Sequence, residues 1–201
     1  MKRIVIVDYG LGNLRSVYRG LEKSGARPVV TFDIEEIAAA DAIVLPGVGA
    51  FRDGMEQIGE MQQVLTEAAG AVPMLGICLG MQMLLEWSEE HGLHAGLGII
   101  PGTVRRFQGS PGYKIPHMGW NSLESPMTDH PLMEGIREGS YVYFVHSYYA
   151  DTRAENTLTS TTYTRSFASS ITSGNVFGVQ FHPEKSGATG LRILENFISL
   201  I

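Results

Sequence analysis

Apolar and polar residues follow two different periods along the first half of the chain. Nearly continuous apolar runs predict strands buried on both faces of a sheet, and they lie at residues 3–9, 26–32, 42–49 and 72–78. Between these runs apolar residues recur every three or four positions, which predicts helices. One helix begins at Leu14, one carries Met55 to Ala68, and one runs from Leu79 to about Trp87. This β-α-β-α order predicts a parallel sheet.

The second half of the chain has a different pattern. Strand-like runs separated by short polar turns predict antiparallel pairs, and they lie at residues 141–150, 156–163, 166–171 and 175–181. A helix with a broad apolar face closes the chain at residues 188–201. We therefore predict an α/β fold: an open, mostly parallel sheet with helices on both faces, plus antiparallel strands in the C-terminal half. No repeat or linker divides the chain, so residues 1–201 are predicted to form a single domain.

Composition narrows the class of protein. The 201 residues carry a net charge of −6 at pH 7, which disfavours a nucleic-acid partner. The single cysteine cannot form an internal disulfide, and this favours a reducing cytoplasm. The first apolar run is too short for a signal peptide, and no stretch approaches the roughly 18 to 20 apolar residues that cross a bilayer. We expect a cytoplasmic protein without membrane contact.

The only cysteine, Cys78, lies between Gly76 and Gly80 where the fourth strand meets a helix. Glycines on either side relieve the crowding at a sharp strand-to-helix turn, as in a nucleophile elbow. A helix N-terminus stabilises a thiolate, and the N–H of Leu79 would point at a developing oxyanion. The alternative is a buried cysteine that serves only packing.

A thiolate nucleophile needs a proton shuttle, and the segment FHPE supplies the best candidate. His182 follows an apolar strand that Pro183 ends. Glu184 is close enough in the chain to hold one ring nitrogen of the imidazole. Cys78, His182 and Glu184 would then be nucleophile, base and orienting group. The alternative is an ordinary histidine at a strand end, beside a solvated carboxylate.

Glycines at the end of the third strand supply a further candidate. Ligands bind outside the carboxyl ends of strands in an open parallel sheet, so the backbone of Gly47, Val48 and Gly49 would offer a second oxyanion donor; the alternative is a plain turn. The runs PHMGWN and YFVHSYY combine histidine with aromatic residues and are also open to a packing role. Cys78, His182 and Glu184 could ligate zinc in principle, but no pair of these candidates has a metal-site spacing such as CxxC or HxxxH, so no metal is expected.

These motifs together resemble the class I, triad-type glutamine amidotransferases. The similarity rests on GICLGMQ, PGVG and FHPE, which occur in the family's order. Within that class the chain resembles the glutaminase subunits of imidazole glycerol phosphate synthase, on DYGLGNLRSV, PHMGWN, YFVHSYY and FHPEKSG. The resemblance extends over nearly the whole chain.

The resemblance implies a reaction and a set of residues. L-Glutamine would be hydrolysed through a γ-glutamyl thioester on Cys78, with His182 moving the proton and Glu184 orienting it, and without metal or organic cofactor. The backbone of Leu79 and of residues 47–49 would hold the oxyanion. The residues that would bind glutamine are Gln82, Glu90, Ser147 and Tyr148.

The resemblance also implies a partner. Ammonia would pass to a (β/α)₈-barrel cyclase subunit in a heterodimer of histidine biosynthesis, and the partner's ligand would complete the oxyanion hole by rearranging the PGVG backbone. The positions expected near the partner are Asn13, Trp120, Tyr143, His146 and Lys185. Three alternatives stay open: the glutaminase of an anthranilate, aminodeoxychorismate, GMP or pyridoxal phosphate synthase; a non-hydrolytic redox sensor or chaperone; and a pseudo-enzyme scaffold.

Overall fold

An 11-stranded sheet and a separate two-stranded ribbon form the framework of the computed structural model, which describes residues 2–201. The strands in chain order are β1 (Ile4–Val7), β2 (Val29–Thr31), β3 (Ala42–Leu45), β4 (Met74–Ile77), β5 (Leu85–Ser88), β6 (His94–Ala95), β7 (Ile100–Arg106), β8 (His117–Ser122), β9 (Tyr141–His146), β10 (Tyr148–Asp151), β11 (Thr157–Thr162), β12 (Ser166–Ser173) and β13 (Val176–Val179). The helices are α1 (Leu14–Lys23), α2 (Ile34–Ala38), α3 (Phe51–Ile58), α4 (Met61–Ala69), α5 (Leu79–Met83) and α6 (Gly187–Ser199).

The large sheet has a parallel part and a mainly antiparallel part. Strands β2, β1, β3, β4 and β13 lie side by side and are parallel. From β13 the sheet continues through β12, β10 and β7 in antiparallel pairs, and then through β5, parallel to β7, to β6. Strand β11 pairs with β12 outside this strand order, and its Ser160 also forms an antiparallel bridge with Glu124. The predicted mostly parallel sheet with antiparallel strands in the C-terminal half is confirmed.

Helices cover both faces of the sheet, as predicted. Successive residues of β1 enter different apolar clusters, because neighbouring side chains of a strand point to opposite faces. Helices α1 and α6 pack on one face, where Leu21 and Phe197 are fully buried. Helices α2 to α5 cover the other face, where Ile37, Phe51 and Leu65 are fully buried. Cys78, just beyond the carboxyl end of β4, lines a pocket at this edge of the sheet.

Two predicted helices are wrong in extent. The helix expected over Met55 to Ala68 is two helices, because Gly59 adopts a φ of 47° and ends α3. The helix expected to reach Trp87 ends at Met83. The next residues form β5 instead, since pairing with β7 satisfies their backbone groups in a way that local helical spacing does not reveal.

The run predicted as one strand at residues 141–150 is also two elements. Strand β9 pairs with β8 in the two-stranded ribbon, whereas β10 joins the large sheet. The chain changes sheet at Ser147, between the two. This change places residues 145–148 along the wall of the pocket that contains Cys78. No helix within the described residues is long and apolar enough to cross a membrane.

Candidate active site

Cys78 occupies a strained turn between β4 and α5. Its φ of 54° lies in the left-handed region, where a non-glycine residue is held only by its surroundings. The flanking glycines are required by close backbone contacts. A Cβ on Gly80 would lie 1.8 Å from the carbonyl oxygen of Leu45, and a Cβ on Gly76 would lie 2.7 Å from the nitrogen of Met81. The chain therefore forms the sharp elbow that the sequence predicts.

His182 and Glu184 form a buried pair beside the elbow. His182 Nδ1 and Glu184 Oε1 are 2.9 Å apart, so the ring N–H donates to the carboxylate. Pro183 begins the one-turn 3₁₀ segment Pro183–Lys185, which folds Glu184 back onto the imidazole. His182 Nε2 is buried and forms no hydrogen bond within residues 2–201. The carboxylate thus fixes one tautomer and leaves the second nitrogen available for proton transfer.

The surroundings of His182 change its pKa. Burial alone would lower the pKa, but hydrogen-bonding and Coulombic interactions with Cys78 and Glu184 outweigh this and raise the pKa of His182 to about 9. The Cys78 side chain contributes to this rise in pKa, although Nε2 of His182 and the sulfur do not meet the geometry of a full hydrogen bond. An imidazolium beside Cys78 favours the thiolate form of the sulfur, which is the nucleophilic form.

The parallel sheet brings these three residues together. Strands β4 and β13 are neighbours, with Ile77 opposite Val179, and the N–H of Cys78 donates to the carbonyl of Val179 at 2.8 Å. Residues just beyond the ends of both strands therefore lie next to each other. Cys78 and His182 are separated by about half of the chain, and only this pairing makes them adjacent.

The predicted oxyanion donors are not assembled in this structure. The N–H of Leu79 donates to the carbonyl oxygen of Gly47 at 3.3 Å, so it is not free for an oxyanion. Val48 and Gly49 are exposed at the mouth of the pocket, and Gly49 has a φ of 109° that suits a mobile turn. The candidate backbone groups are thus close to Cys78 but in a resting arrangement.

Tyr9 holds the near end of this loop, a role that no sequence motif indicates. Its hydroxyl donates to the carbonyl of Pro46 at 2.6 Å. Burial, together with the neighbouring Cys78, raises the pKa of Tyr9 well above its usual range, so the phenol stays protonated and remains a donor. A Cβ on Gly47 would lie 2.3 Å from this hydroxyl, which explains why glycine occupies that position.

A pocket of about 390 Å³ opens in front of Cys78. The predicted glutamine-binding residues line it, namely Gln82, Glu90, Ser147 and Tyr148. The carboxylate of Glu90 also accepts a hydrogen bond of 2.6 Å from the backbone N–H of Phe51, which fixes it at the start of α3. A second cavity of about 480 Å³ on another part of the surface contains none of the candidate residues.

A further buried residue, Gln180, contacts the nucleophile and was missed by sequence reasoning. Its Nε2 lies 3.7 Å from the sulfur of Cys78, and its Oε1 lies 3.0 Å from Nε2 of Gln82. The available signal was a lone polar residue in the apolar run VFGVQF. It lies two positions before His182, the spacing at which side chains of an extended chain share a face.

The expected partner-facing residues fall into two groups. Asn13, Trp120 and Lys185 are exposed and Tyr143 is half-buried, with Trp120 directly opposite Tyr143 in the ribbon. His146 differs from the expectation, because its side chain is only 6% exposed. It lies on the inner side of the ribbon and lines the pocket in front of Cys78. His146 therefore lies in the pocket wall rather than on the exposed outer side of the ribbon, and its place near the partner stays a prediction.

The inner side of the ribbon holds two neutral histidines in a chain of hydrogen bonds. His146 Nδ1 lies 2.7 Å from the carbonyl of Tyr148, so this nitrogen carries the proton and Nε2 accepts from His117 Nδ1 at 2.9 Å. His117 Nε2 then accepts from Asn121 at 3.3 Å. Burial lowers the pKa of His117 to about 4 and that of His146 to about 3. The packing role that the sequence left open thus fits both histidines.

No group of three or more histidine, cysteine or carboxylate side chains in residues 2–201 is placed to hold a metal ion.

Comparison with known sequences finds one family model and close relatives that match nearly the whole chain. The family model described as "Glutamine amidotransferase class-I" matches residues 5–200. The chain is 57% identical over 203 residues to the imidazole glycerol phosphate synthase subunit HisH of Methanosarcina acetivorans, with 100% of both chains covered. It is 49% identical to the subunit of the same name from Bacillus cereus, covering 98% of this chain and 95% of that one.

Solved structures share the fold. PurLQS from Thermotoga maritima superposes with a TM-score of 0.76 at 20% identity, with 98% of each chain covered. The glutaminase domain of Trypanosoma brucei CTPS with bound acivicin gives a TM-score of 0.68 at 16% identity, covering 100% of this chain and 95% of that one. At these identities the likeness concerns the fold alone.

Proposed function

The chain belongs to the class-I glutamine amidotransferases, and we propose that it is the glutaminase subunit of an imidazole glycerol phosphate synthase. The observation that carries the proposal is the 57% identity to such a subunit over the full length of both chains. The buried Cys78–His182–Glu184 arrangement supplies the chemistry that this activity needs. It also disfavours a redox sensor or chaperone, which would have no use for a histidine held by a carboxylate.

In the proposed reaction the sulfur of Cys78 attacks the side-chain amide carbon of glutamine. A C–S bond forms while the carbonyl electron pair moves onto oxygen, giving a tetrahedral oxyanion. His182 then delivers its Nε2 proton to the amide nitrogen, the C–N bond breaks, and ammonia leaves. Glu184 keeps the Nδ1 proton in place throughout, so the imidazole exchanges protons only on the side of the substrate.

Water completes the cycle. His182, now neutral, takes a proton from a water molecule that attacks the thioester carbon. The second tetrahedral intermediate collapses with loss of the Cys78 sulfur, which leaves as a thiolate beside the imidazolium. One glutamine and one water thus give one glutamate and one ammonia, and no redox step is required.

The oxyanion needs donors that the resting loop does not yet present. We propose that the peptide between Gly47 and Val48 rotates on activation. This rotation would withdraw the Gly47 carbonyl from the N–H of Leu79 and turn the N–H of Val48 toward the pocket. The bond from Tyr9 to Pro46 would hold the residue before the rotating peptide in place. The N–H groups of Leu79 and Val48 would then both be free to donate to the oxyanion, whereas in the resting loop the Gly47 carbonyl occupies the N–H of Leu79.

The pocket suits an amino-acid substrate. Both N–H groups of the Gln82 amide are engaged, one with the carbonyl of Tyr148 at 3.1 Å and one with Gln180. Gln82 therefore offers glutamine an acceptor oxygen only. Glu90 adds a negative charge at the pocket wall, which suits the substrate α-ammonium group.

A partner subunit is implied by the relatives' description as synthase subunits. We propose that it is a (β/α)₈-barrel cyclase which receives the ammonia, in a cytoplasmic heterodimer. The outer side of the ribbon supports a docking role, because Met118, Trp120 and Tyr141 are 63%, 55% and 60% exposed. Large exposed apolar side chains on one face are typical of a protein interface.

Glutamate release in the presence of the cyclase tests the proposed function. We expect the isolated chain to hydrolyse glutamine slowly, and the rate to rise at least about tenfold when the cyclase and its nucleotide ligand are both added, since a barrier lowered by 1.4 kcal/mol gives that factor. Glutamate production is measured with cyclase alone, with ligand alone and with both. Stimulation by an anthranilate-type partner instead, or no response to any addition, would contradict the assignment.

The raised pKa of His182 predicts an alkaline limit to activity. The imidazolium donates the proton to the leaving amide nitrogen, so kcat/KM for glutamine should fall as pH rises through about 9. The Glu184→Gln variant removes a charge that raises this pKa, and its falling limb should move to lower pH. Initial rates of the complex from pH 6 to 10 provide the measurement. An identical alkaline limb in both proteins would show that the imidazolium is not the acid.

A further inference from the structure

Gln180 stands apart from the residues that the proposed reaction uses. Its side chain is fully buried at the carboxyl end of β13 and contacts both Cys78 and Gln82. A buried amide in an apolar strand is costly unless its polar atoms are paired. Both ends of this amide are paired with residues of the pocket rather than with the surrounding backbone.

The orientation of this amide follows from the network. The carbonyl of Tyr148 only accepts hydrogen bonds, so the atom of Gln82 that faces it is the nitrogen. That same nitrogen faces Gln180, which must therefore present its oxygen to Gln82 and its nitrogen to Cys78. The carbonyl of Tyr148 thus sets the orientation of both amides, so that an N–H group of Gln180 points at the sulfur of Cys78.

An N–H donor at this position has a specific chemical effect. Hydrogen bonds to ionised acceptors are stronger than those to neutral ones, so the amide favours the thiolate over the thiol and over the uncharged thioester. It also restricts the sulfur to one orientation, on the side of the elbow that faces the pocket. The oxygen of the same amide keeps Gln82 turned so that its acceptor faces glutamine.

We propose that Gln180 is a positioning residue of the glutaminase reaction, acting through the sulfur of Cys78 and through Gln82. The inference rests on the proposed function and adds to it a residue outside the triad. Gln180 exchanges no proton and forms no bond with substrate. It sets the position of the Cys78 thiolate and determines which side-chain atom Gln82 presents to the substrate.

Two variants separate the two contacts. Gln180→Met has nearly the same length and offers neither donor nor acceptor. Gln180→Glu keeps the acceptor for Gln82 but, when ionised, has no N–H for the sulfur. Gln63→Met is the matched control, since Gln63 is exposed on α4 and bonded only to Glu67. Kinetics are measured on the complex with the cyclase and its nucleotide ligand, and thermal unfolding shows that each variant is folded.

The expected results differ between the variants. Loss of one hydrogen bond to a charged sulfur should lower kcat by about 10- to 100-fold in both. KM for glutamine should rise several-fold in Gln180→Met, where Gln82 loses its partner, and stay within about twofold in Gln180→Glu. Alkylation of Cys78 by iodoacetamide at neutral pH should slow in both variants of the isolated chain. The control should match the parent protein in all three measurements.

The measurements distinguish a wrong role for Gln180 from a wrong proposed function. If kcat and the alkylation rate stay within about twofold of the parent in the folded variants, the role of Gln180 is wrong, whatever the reaction. If the parent complex hydrolyses no glutamine, the proposed function is wrong, but the alkylation comparison still decides whether Gln180 positions the thiolate. Should Gln180→Met fail to fold, the nearly isosteric Gln180→Glu alone gives the kcat and alkylation results.

Discussion

Replacing His182 with alanine should lower kcat for glutamine hydrolysis by about a thousandfold, within the range that a general acid–base group contributes. The variant lacks the group that delivers a proton to the leaving ammonia and then activates water. It also leaves the carboxylate of Glu184, whose side chain is only 1% exposed, without its partner. We therefore expect the free energy of unfolding to fall by about 1–3 kcal/mol as well.

A second substitution separates chemistry from stability. His182→Asn places an amide N–H near the position of Nδ1, so the bond to Glu184 is kept while Nε2 is lost. Its glutaminase rate should be as low as that of the alanine variant, whereas its unfolding free energy should stay closer to that of the parent. His130→Ala is the control, since His130 packs against Phe177 near the start of β13, at the end of the strand remote from the site. Near-parental activity in either His182 variant would contradict the triad.

Replacing Gly80 with alanine should have the largest effect on stability. The new Cβ would lie 1.8 Å from the carbonyl oxygen of Leu45, a contact between backbone atoms and Cβ that no rotamer relieves. Overpacking commonly costs about 1–3 kcal/mol and occasionally more, and we expect a loss of at least about 3 kcal/mol here. Helix α5 must move away from β3, which displaces Cys78 and removes glutaminase activity. Urea unfolding and glutamate release provide the two measurements.

The matched control for this substitution is Gly70→Ala. Gly70 follows α4 with a φ of −85°, and the nearest atom to its added Cβ is 3.9 Å away. Its unfolding free energy should change by no more than about 0.5 kcal/mol. A Gly80→Ala variant as stable as this control would show that the elbow tolerates a side chain and does not depend on close packing.

The parts of the fold that the sequence predicts are those buried on both faces. Strands β1, β3 and β4 consist of uninterrupted buried residues, so their apolar runs are visible without any partner. Strands β5, β7 and β8 are half-exposed, and β7 and β8 contain glycine. Their stability comes from pairing with distant segments, which local periodicity cannot show.

The residues of the site likewise fall into those that the sequence indicates and those that only the folded structure shows. Cys78, His182 and Glu184 belong to short motifs whose residue types indicate their chemistry, and the fold places the His182–Glu184 pair beside Cys78, which lines the pocket. The contact of Gln180 with the sulfur and the bond from Leu79 to Gly47 depend on how β4, β13 and the loop after β3 meet in space. The inward side chain of His146 was not visible for a related reason, since alternation along β9 turns it inward while its exposed neighbours in the ribbon face outward.

The bond between Leu79 and Gly47 has a consequence for nitrogen economy in the cell. A single neutral hydrogen bond contributes only about 1 kcal/mol net, which corresponds to a minor conformer populated at roughly 15%. The isolated protein is therefore expected to leak ammonia at a low rate rather than to be silent. An acceptor enzyme needs to bind the rotated loop only slightly more tightly than the resting loop. Such a modest difference in binding free energy suffices to make glutamine hydrolysis depend on the presence of an enzyme that uses the ammonia.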